Sequence, residues 1–357
     1  MDKEDIEKIY NLYSEVWKDR CSKFPNESSI GIIKEAPKRI VVLGDLHGDW
    51  NATIMSLIKA KLIDSNNHLK WIGEETILVQ LGDQVDRCRL DKGPCHMEGA
   101  TKNDEASDIK ILKYFTDLHN QAIKDGGAVY SILGNHEVMN VDGDLRYKSR
   151  ANLMEFSKDG TVEDGIKRTK EAFKPGNKIA NFLACTRRTA LVIGKNLFIH
   201  AGIVPEIAKK YSVNDINRIV ALYLFDKLKD KNKYSELLIN AKTSPYWTRL
   251  LGNLNRNLSK DTVKKICHSI FDSGVLTNLL GTKSNHKIER IFIGHTPQLM
   301  KGINTMCDDR IYYVDVGVSQ AFDSYDTNLQ FQNKRSKTRN FPFAEIINDT
   351  TVKYDKN

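Results

Sequence analysis

Five short apolar runs, far apart in the chain, each stop at a glycine-bearing turn that carries an acid, an amide or a histidine. Residues 40–43 run into GDLHGDW, residues 44–50. Residues 75–81 run into GDQVDR (82–87), 128–133 into GNHE (134–137), 196–199 into HAG (200–202) and 289–293 into GHTP (294–297). Apolar runs of this length bounded by turn residues read as buried strands, and glycine lets the backbone double back around a small ligand. In α/β sheets, ligands bind beyond the carboxyl ends of the strands. A sheet system that gathers these five ends would bring Asp45, His47, Asp83, Asn135, His200 and His295 together.

That donor set mixes carboxylate, amide and imidazole, and it offers more ligands than one ion uses. Structural zinc takes four ligands, usually with thiolates. A pair of ions sharing a carboxylate fits better, and oxygen plus imidazole donors suit Mn, Fe or Zn rather than Ca. Two such ions, about 3.5–4 Å apart, lower the pKa of a shared water and clamp phosphoryl oxygens for in-line attack. The remaining residues of the motifs match that chemistry. Arg87 follows Asp86 and would meet the phosphate charge. His136, beside Asn135, would protonate the leaving alkoxide as general acid, and Asp86 would orient it. Taken singly, each motif is equally a polar turn, and a lone histidine is more often a core residue. Here His47, His136, His200 and His295 all sit just past a strand, a setting the other five histidines do not share.

The chain of 357 residues is long enough for one large core with insertions. It has no run of eighteen apolar residues, so no membrane span is expected. The first twenty residues read as a charged amphipathic helix without the apolar segment of a secretory signal, and a cytoplasmic location is expected. The six cysteines form no C-x-x-C pair, so reduced thiols are expected, with Cys88 and Cys95 the pair able to cross-link under oxidation. The net charge of +8 favours anionic substrates. The basic cluster at Lys334, Arg335, Lys337 and Arg339 reads as a solvated loop. Nucleic acid is not expected, because no aromatic interleaving accompanies it.

Periodicity divides the chain into an N-terminal helix and linker (1–37), a catalytic domain (38–348) and a polar tail (349–357). Helices are expected over 50–62 and 109–125, a surface loop over 88–107, and helical insertions near 142–185 and 204–285. A hairpin is expected across Gly194-Lys195, and strands near 39–43, 310–316 and 343–347. The class is α/β.

The motif order resembles the calcineurin-like metallophosphoesterases, and within them the phosphoprotein phosphatase group. AFKPGNKIANFLA (172–184), SPYWTR (244–249) and YYVDVGVS (312–319) are most similar to segments of the Shewanella-like protein phosphatases. The resemblance implies a central two-sheet β-sandwich flanked by helices, with a dinuclear metal site at the strand ends. It implies that Asp45, His47 and Asp83 hold one ion and Asp83, Asn135, His200 and His295 the other. His136 would be the acid, paired with Asp86, and Arg87 and Arg249, with Asn135, would bind the phosphate. Two positions depart from the pattern: Cys88 stands where glycine is usual, and Ala201 replaces a frequent glycine. The implied function is a metal-dependent phosphatase acting on phosphoserine, phosphothreonine or phosphotyrosine in proteins, or on small phosphoesters. A dinucleoside tetraphosphate hydrolase is the alternative, since HAG also occurs in relatives that cleave dinucleoside polyphosphates. An inactive phosphoprotein-binding scaffold is the third reading.

Overall fold

Branched aliphatic side chains that alternate between two faces build the core. A computed structural model describes residues 3–24, 31–256, 258–281, 286–323 and 340–355. The strands are β1 (Ile32–Ile33), β2 (Arg39–Leu43), β3 (Ile77–Gln80), β4 (Ala128–Ile132), β5 (Arg187–Arg188) and β6 (Ala190–Ile193). They continue with β7 (Asn196–Ile199), β8 (Arg290–Ile293), β9 (Asn304–Met306), β10 (Ile311–Tyr313), β11 (Ala344–Ile347) and β12 (Thr351–Tyr354). One sheet has the order β12-β11-β2-β3-β4-β5 and the other β1-β6-β7-β8-β10-β9.

The two sheets face each other. Ile40, Val42, Val79 and Ile132 of the first meet Leu191, Ile193, Phe198 and Phe292 of the second in one apolar layer. Phe292 stacks between Phe198 and Tyr312, with ring centroids 5.2 and 4.6 Å away. Because strand side chains alternate, Val41, Leu43, Leu78 and Val129 point the other way. They are covered by helices α2 (Trp50–Lys59) and α3 (Asp108–Ala122). The N-terminal helix Lys3–Arg20 and the helices of both insertions pack in the largest cluster, with Val192, Leu197 and Ile291 of the second sheet. This is the two-sheet sandwich with flanking helices that the family resemblance implies.

Parallel pairing positions the site. Strands β2, β3 and β4 are parallel neighbours, so their carboxyl ends share one edge. Strands β7 and β8 are likewise parallel in the other sheet. The five motifs therefore leave the sandwich from five adjacent strand ends, three in one sheet and two in the other.

Three expectations meet a different structure or none. The stretch read as a polar tail contains β12, which pairs antiparallel with β11. The reduced-thiol expectation is corrected: all six cysteines are bridged, as Cys21–Cys185, Cys88–Cys95 and Cys267–Cys307. Their Cα–Cα separations of 5.4, 5.7 and 5.5 Å lie inside the range of about 4.4–6.8 Å that a disulfide spans. Two bridges join elements 164 and 40 residues apart, a convergence created by helix packing and invisible in cysteine spacing. The basic cluster at 334–339 lies outside the described residues. No described helix is long and apolar enough to cross a membrane.

Candidate metal centre

Asp83 stands at the middle of the converging loops. Its Oδ2 lies 3.7 Å from His47 Nε2 and 3.9 Å from His136 Nε2, and its Oδ1 lies 3.4 Å from His200 Nε2. Asn135 Oδ1 is 3.0 Å from His200 Nε2 and 2.8 Å from His295 Nδ1. Asp45 Oδ2 is 3.9 Å from His47 Nε2 and accepts the backbone N–H of His295 at 3.0 Å. The fold thus gathers all six expected ligands, and all are buried. Two compact groups of donor atoms share Asp83: His47 and Asp83 with His136, which was expected as the acid and not as a ligand, and Asp83 with His200 and His295.

The backbone is strained to achieve this. His47, Asp83, Asp86 and His295 have φ of 44°, 49°, 69° and 64°, a left-handed region that costs a non-glycine residue of order 1–3 kcal/mol. Glu137 holds the turns in place. It lies in the first turn of α4 (Asn135–Val141), and its buried carboxylate accepts the N–H groups of Gly134, Asp83, Gln84 and Val85 at 2.7, 3.0, 2.7 and 3.3 Å. The Asp83 carbonyl in turn accepts the N–H groups of Leu46 and His47. The loops after β2, β3 and β4 are therefore tied to one another. Glycine is required at 134 and 294, where a Cβ would overlap the carboxylates of Asp83 and Asp45.

The electrostatics call for cations. Burial, then the Asp315 and Asp83 carboxylates, push Asp45 well above the usual carboxylate range. Burial would raise Asp83 too, but the imidazoles of His200, His136 and His47 hold it well below that range. Burial, with Arg89 and His136 adding, depresses His47; burial, with His200 and Arg249, depresses His295. Asp45 Oδ1 and His295 Nε2 are buried without a hydrogen-bond partner among the described residues. Donors at about 2.0–2.2 Å from one ion sit roughly 3–3.5 Å from each other, close to the separations here. A neutral imidazole with a buried, unsatisfied nitrogen and a crowded carboxylate are what a metal ion needs, so the residues fit the implied ions.

Beside the centre, His136 Nδ1 lies 2.9 Å from Asp86 Oδ2. Asp86 also accepts from Asn140 Nδ2 at 3.0 and 2.9 Å, one contact to each oxygen. Burial would raise Asp86, but Lys148 and His136 bring it below its usual value. Lys148 itself is fully buried, 2.7 Å from Asp108 Oδ2 and 3.5 Å from Asp86 Oδ1.

A cavity of about 380 Å³ opens over the metal centre. Its walls include His47, Asp83, Asn135, His136 and His295, the guanidinium residues Arg89, Arg249 and Arg256, and the rings of Tyr147, Trp247 and Phe322. Arg249 lies in this wall. Its Nη1 donates to Thr296 Oγ1 at 3.0 Å and to the His295 carbonyl at 3.3 Å. Arg87 is not brought into this wall. Its guanidinium pairs with Glu105, donates to Gln320 Oε1 at 3.1 Å and lies 3.9 Å from Asp49. Local acids draw it away, and Arg89, two residues on, lines the cavity instead.

Several site residues carry weak or no sequence signal. Glu137 could have been found, because it closes the GNHE motif in the first turn of a helix. Arg89 stands in view beside Cys88. Lys148, Asp108 and Asn140 lie outside every motif, and only packing brings them to Asp86.

With sandwich, loops and donor set described, the class follows. Residues 38–299 match the family of the calcineurin-like phosphoesterases, and the chain belongs to that family. It is 27% identical to Shewanella-like protein phosphatase 2 of Arabidopsis thaliana over 321 residues, 80% of this chain and 73% of that one. It is 37% identical to an uncharacterized protein of Acanthamoeba polyphaga mimivirus over 236 residues, 60% of this chain and 90% of that one. Among solved structures, the fold is similar to the cold-active protein-tyrosine phosphatase of a psychrophilic Shewanella species. That match has a TM-score of 0.58 at 21% identity, covering 91% of this chain and 83% of the other.

Proposed function

We propose that this protein is a metal-dependent phosphomonoesterase whose substrates are phosphorylated proteins, with 38–348 as its catalytic domain. The observation that carries the reading is one carboxylate, Asp83, with imidazoles at 3.4, 3.7 and 3.9 Å, beneath a cavity walled by arginines. Asp45, His47 and Asp83 would hold one cation, and Asp83, Asn135, His200 and His295 a second. Mn, Fe and Zn each suit these donors. When bound, the cations supply water activation and charge neutralisation at the phosphoryl group.

The chain supplies the rest. Arg249, anchored on the loop of His295, grips phosphoryl oxygens. His136 gives the leaving oxygen its proton from Nε2, while Asp86 holds Nδ1 and fixes the ring. The rings of Tyr147, Trp247 and Phe322 at the cavity wall favour a flat leaving group, so phosphotyrosine is the preferred residue. The three bridges favour an oxidising compartment over the cytoplasmic location expected from the sequence.

The test is turnover by manganese-loaded protein of p-nitrophenyl phosphate, phosphotyrosine and phosphothreonine peptides, and diadenosine tetraphosphate. Fastest cleavage of the phosphotyrosine peptide is expected. No turnover of any monoester removes the reading. Nucleoside diphosphate release from diadenosine tetraphosphate far above the peptide rates would favour the dinucleotide alternative instead. Bound metal without turnover of anything would leave the scaffold.

A further inference from the structure

Arg256 belongs to none of the strand-end motifs, yet it lines the cavity over the metal centre together with Trp247, Arg249, Pro297 and Leu299. It is exposed, whereas the metal ligands of the same cavity are buried, so it stands toward the mouth. The stretch that carries it is fastened to the loop of His295 at both ends. At one end Arg249 Nη1 bonds Thr296 and the His295 carbonyl. At the other, Asn255 Nδ2 donates to Gln298 Oε1 at 2.6 Å and to Asn304 Oδ1 at 2.9 Å, and Arg256 Nη2 reaches the Pro297 carbonyl at 3.4 Å. Between them Gly252 lies so close to Thr296 that a Cβ would overlap its Oγ1. Lys301 donates to the Asn255 carbonyl at 3.1 Å and brings a second exposed cation to the same place.

The side chains of Arg256 and Lys301 are tied to backbone carbonyls, and neither makes an ion pair among the described residues. The carboxylate in the cavity wall is that of Asp83, which lies among the imidazoles. Arg256 is near enough to Arg249 for the two charges to oppose each other. Guanidinium groups held close without an anion between them cost electrostatic energy that an anionic guest removes. One phosphoryl group at the metals occupies Arg249. Arg256 and Lys301 then remain for a second negative group on the same ligand. In a phosphorylated protein that group is an aspartate or glutamate close in sequence to the phosphorylated residue. The guanidinium fork matches a carboxylate, and Trp247, Pro297 and Leu299 give the intervening peptide an apolar seat.

We propose that Arg256, with Lys301 beside it, is a specificity-determining residue that selects phosphoprotein segments carrying an acidic residue near the phosphorylated one. The inference rests on the phosphatase reading above and adds to it the sequence context of the substrate. The experiment uses the manganese-loaded full chain and three phosphotyrosine peptides of equal length, whose flanking positions carry glutamate, alanine or lysine. p-Nitrophenyl phosphate, which has no second anionic group, reports on the metal centre alone. The wild type is expected to show a kcat/KM about threefold to tenfold higher on the glutamate peptide than on the alanine peptide, mostly through KM and shrinking at high salt. Arg256→Glu is expected to reverse the order and favour the lysine peptide, a gain that a misfolded protein would not show. Lys301→Gln is expected to weaken the preference without reversing it. Equal kcat/KM on the glutamate and alanine peptides in the wild type, or an unchanged order in Arg256→Glu, overturns the proposal, while turnover of p-nitrophenyl phosphate keeps the phosphatase reading. A loss in Arg256→Glu seen on diadenosine tetraphosphate and on no peptide overturns it in favour of a polyphosphate ligand. Absence of turnover on every substrate removes the phosphatase reading and this inference with it.

Discussion

His136 Nδ1 and Asp86 Oδ2 are 2.9 Å apart, and the other oxygen of the same carboxylate faces the buried ammonium of Lys148 at 3.5 Å. One aspartate therefore orients the proposed acid and is itself held by a cation that no solvent reaches. His136→Asn should keep its metal and lose roughly 10²–10⁴-fold in kcat, the usual worth of a positioned general acid. Asp86→Asn should follow it with a smaller loss. Elemental analysis beside steady-state kinetics checks this. A His136→Asn protein that loses metal in step with rate would make the ring a ligand rather than an acid.

Lys148 lies between Asp86 and Asp108, both also buried. Lys148→Met leaves two carboxylates without their cation, so a destabilisation of about 3–5 kcal/mol is expected. Adding Asp108→Asn should recover part of it. The pH dependence has a definite sign. Burial alone would lower Lys148, but Asp108 and Asp86 raise it above its usual value. A raised lysine contributes stability that is fully present below its unfolded pKa of about 10.4 and is lost as pH rises through the folded value. Urea unfolding across alkaline pH should show this loss in the wild type and not in Lys148→Met.

Metal binding should be visible in stability alone. Ions that bind the folded chain at a hundred times their dissociation constant add about 2.7 kcal/mol. Thermal unfolding of chelator-treated protein should rise in temperature when manganese is restored. Asp83→Asn should abolish the rise, because both donor groups share that carboxylate. An equal rise in Asp83→Asn would place the ions elsewhere.

The bridges make a covalent prediction. Alkylation of the native, unreduced protein should find six blocked cysteines and the three assigned pairs by peptide mapping. Cys21–Cys185 closes the longest loop, with a sequence separation of 164, and its removal should cost up to about 5 kcal/mol. Loss of Cys88–Cys95 should cost less, about 2 kcal/mol, since it closes the shortest of the three loops. Six freely alkylated thiols in native protein would refute the pairing.

Much of the centre was legible in the chain. Asp45, His47, Asp83, Asn135, His200 and His295 each follow an apolar run that forms a strand, and parallel strands bring their carboxyl ends to one edge. Such a rule is local: a strand's residues set its burial, and the turn after it carries the ligand. The hairpin across Gly194 is local in the same way.

What the chain alone determined, then, is which residues end buried strands and what chemistry their side chains can offer together. What only the tertiary structure decided is which neighbours each of them has. Arg87 pairs with Glu105 and lies near Asp49, 18 residues after it and 38 before it, neighbours that its place in the motif does not reveal. Lys148 reached Asp86 across 62 residues, and Cys21 reached Cys185 across 164. Pairing of charges and thiols depends on distance in space. Once the chain collapses around the sandwich, distance in space is fixed by packing and no longer by position along the sequence.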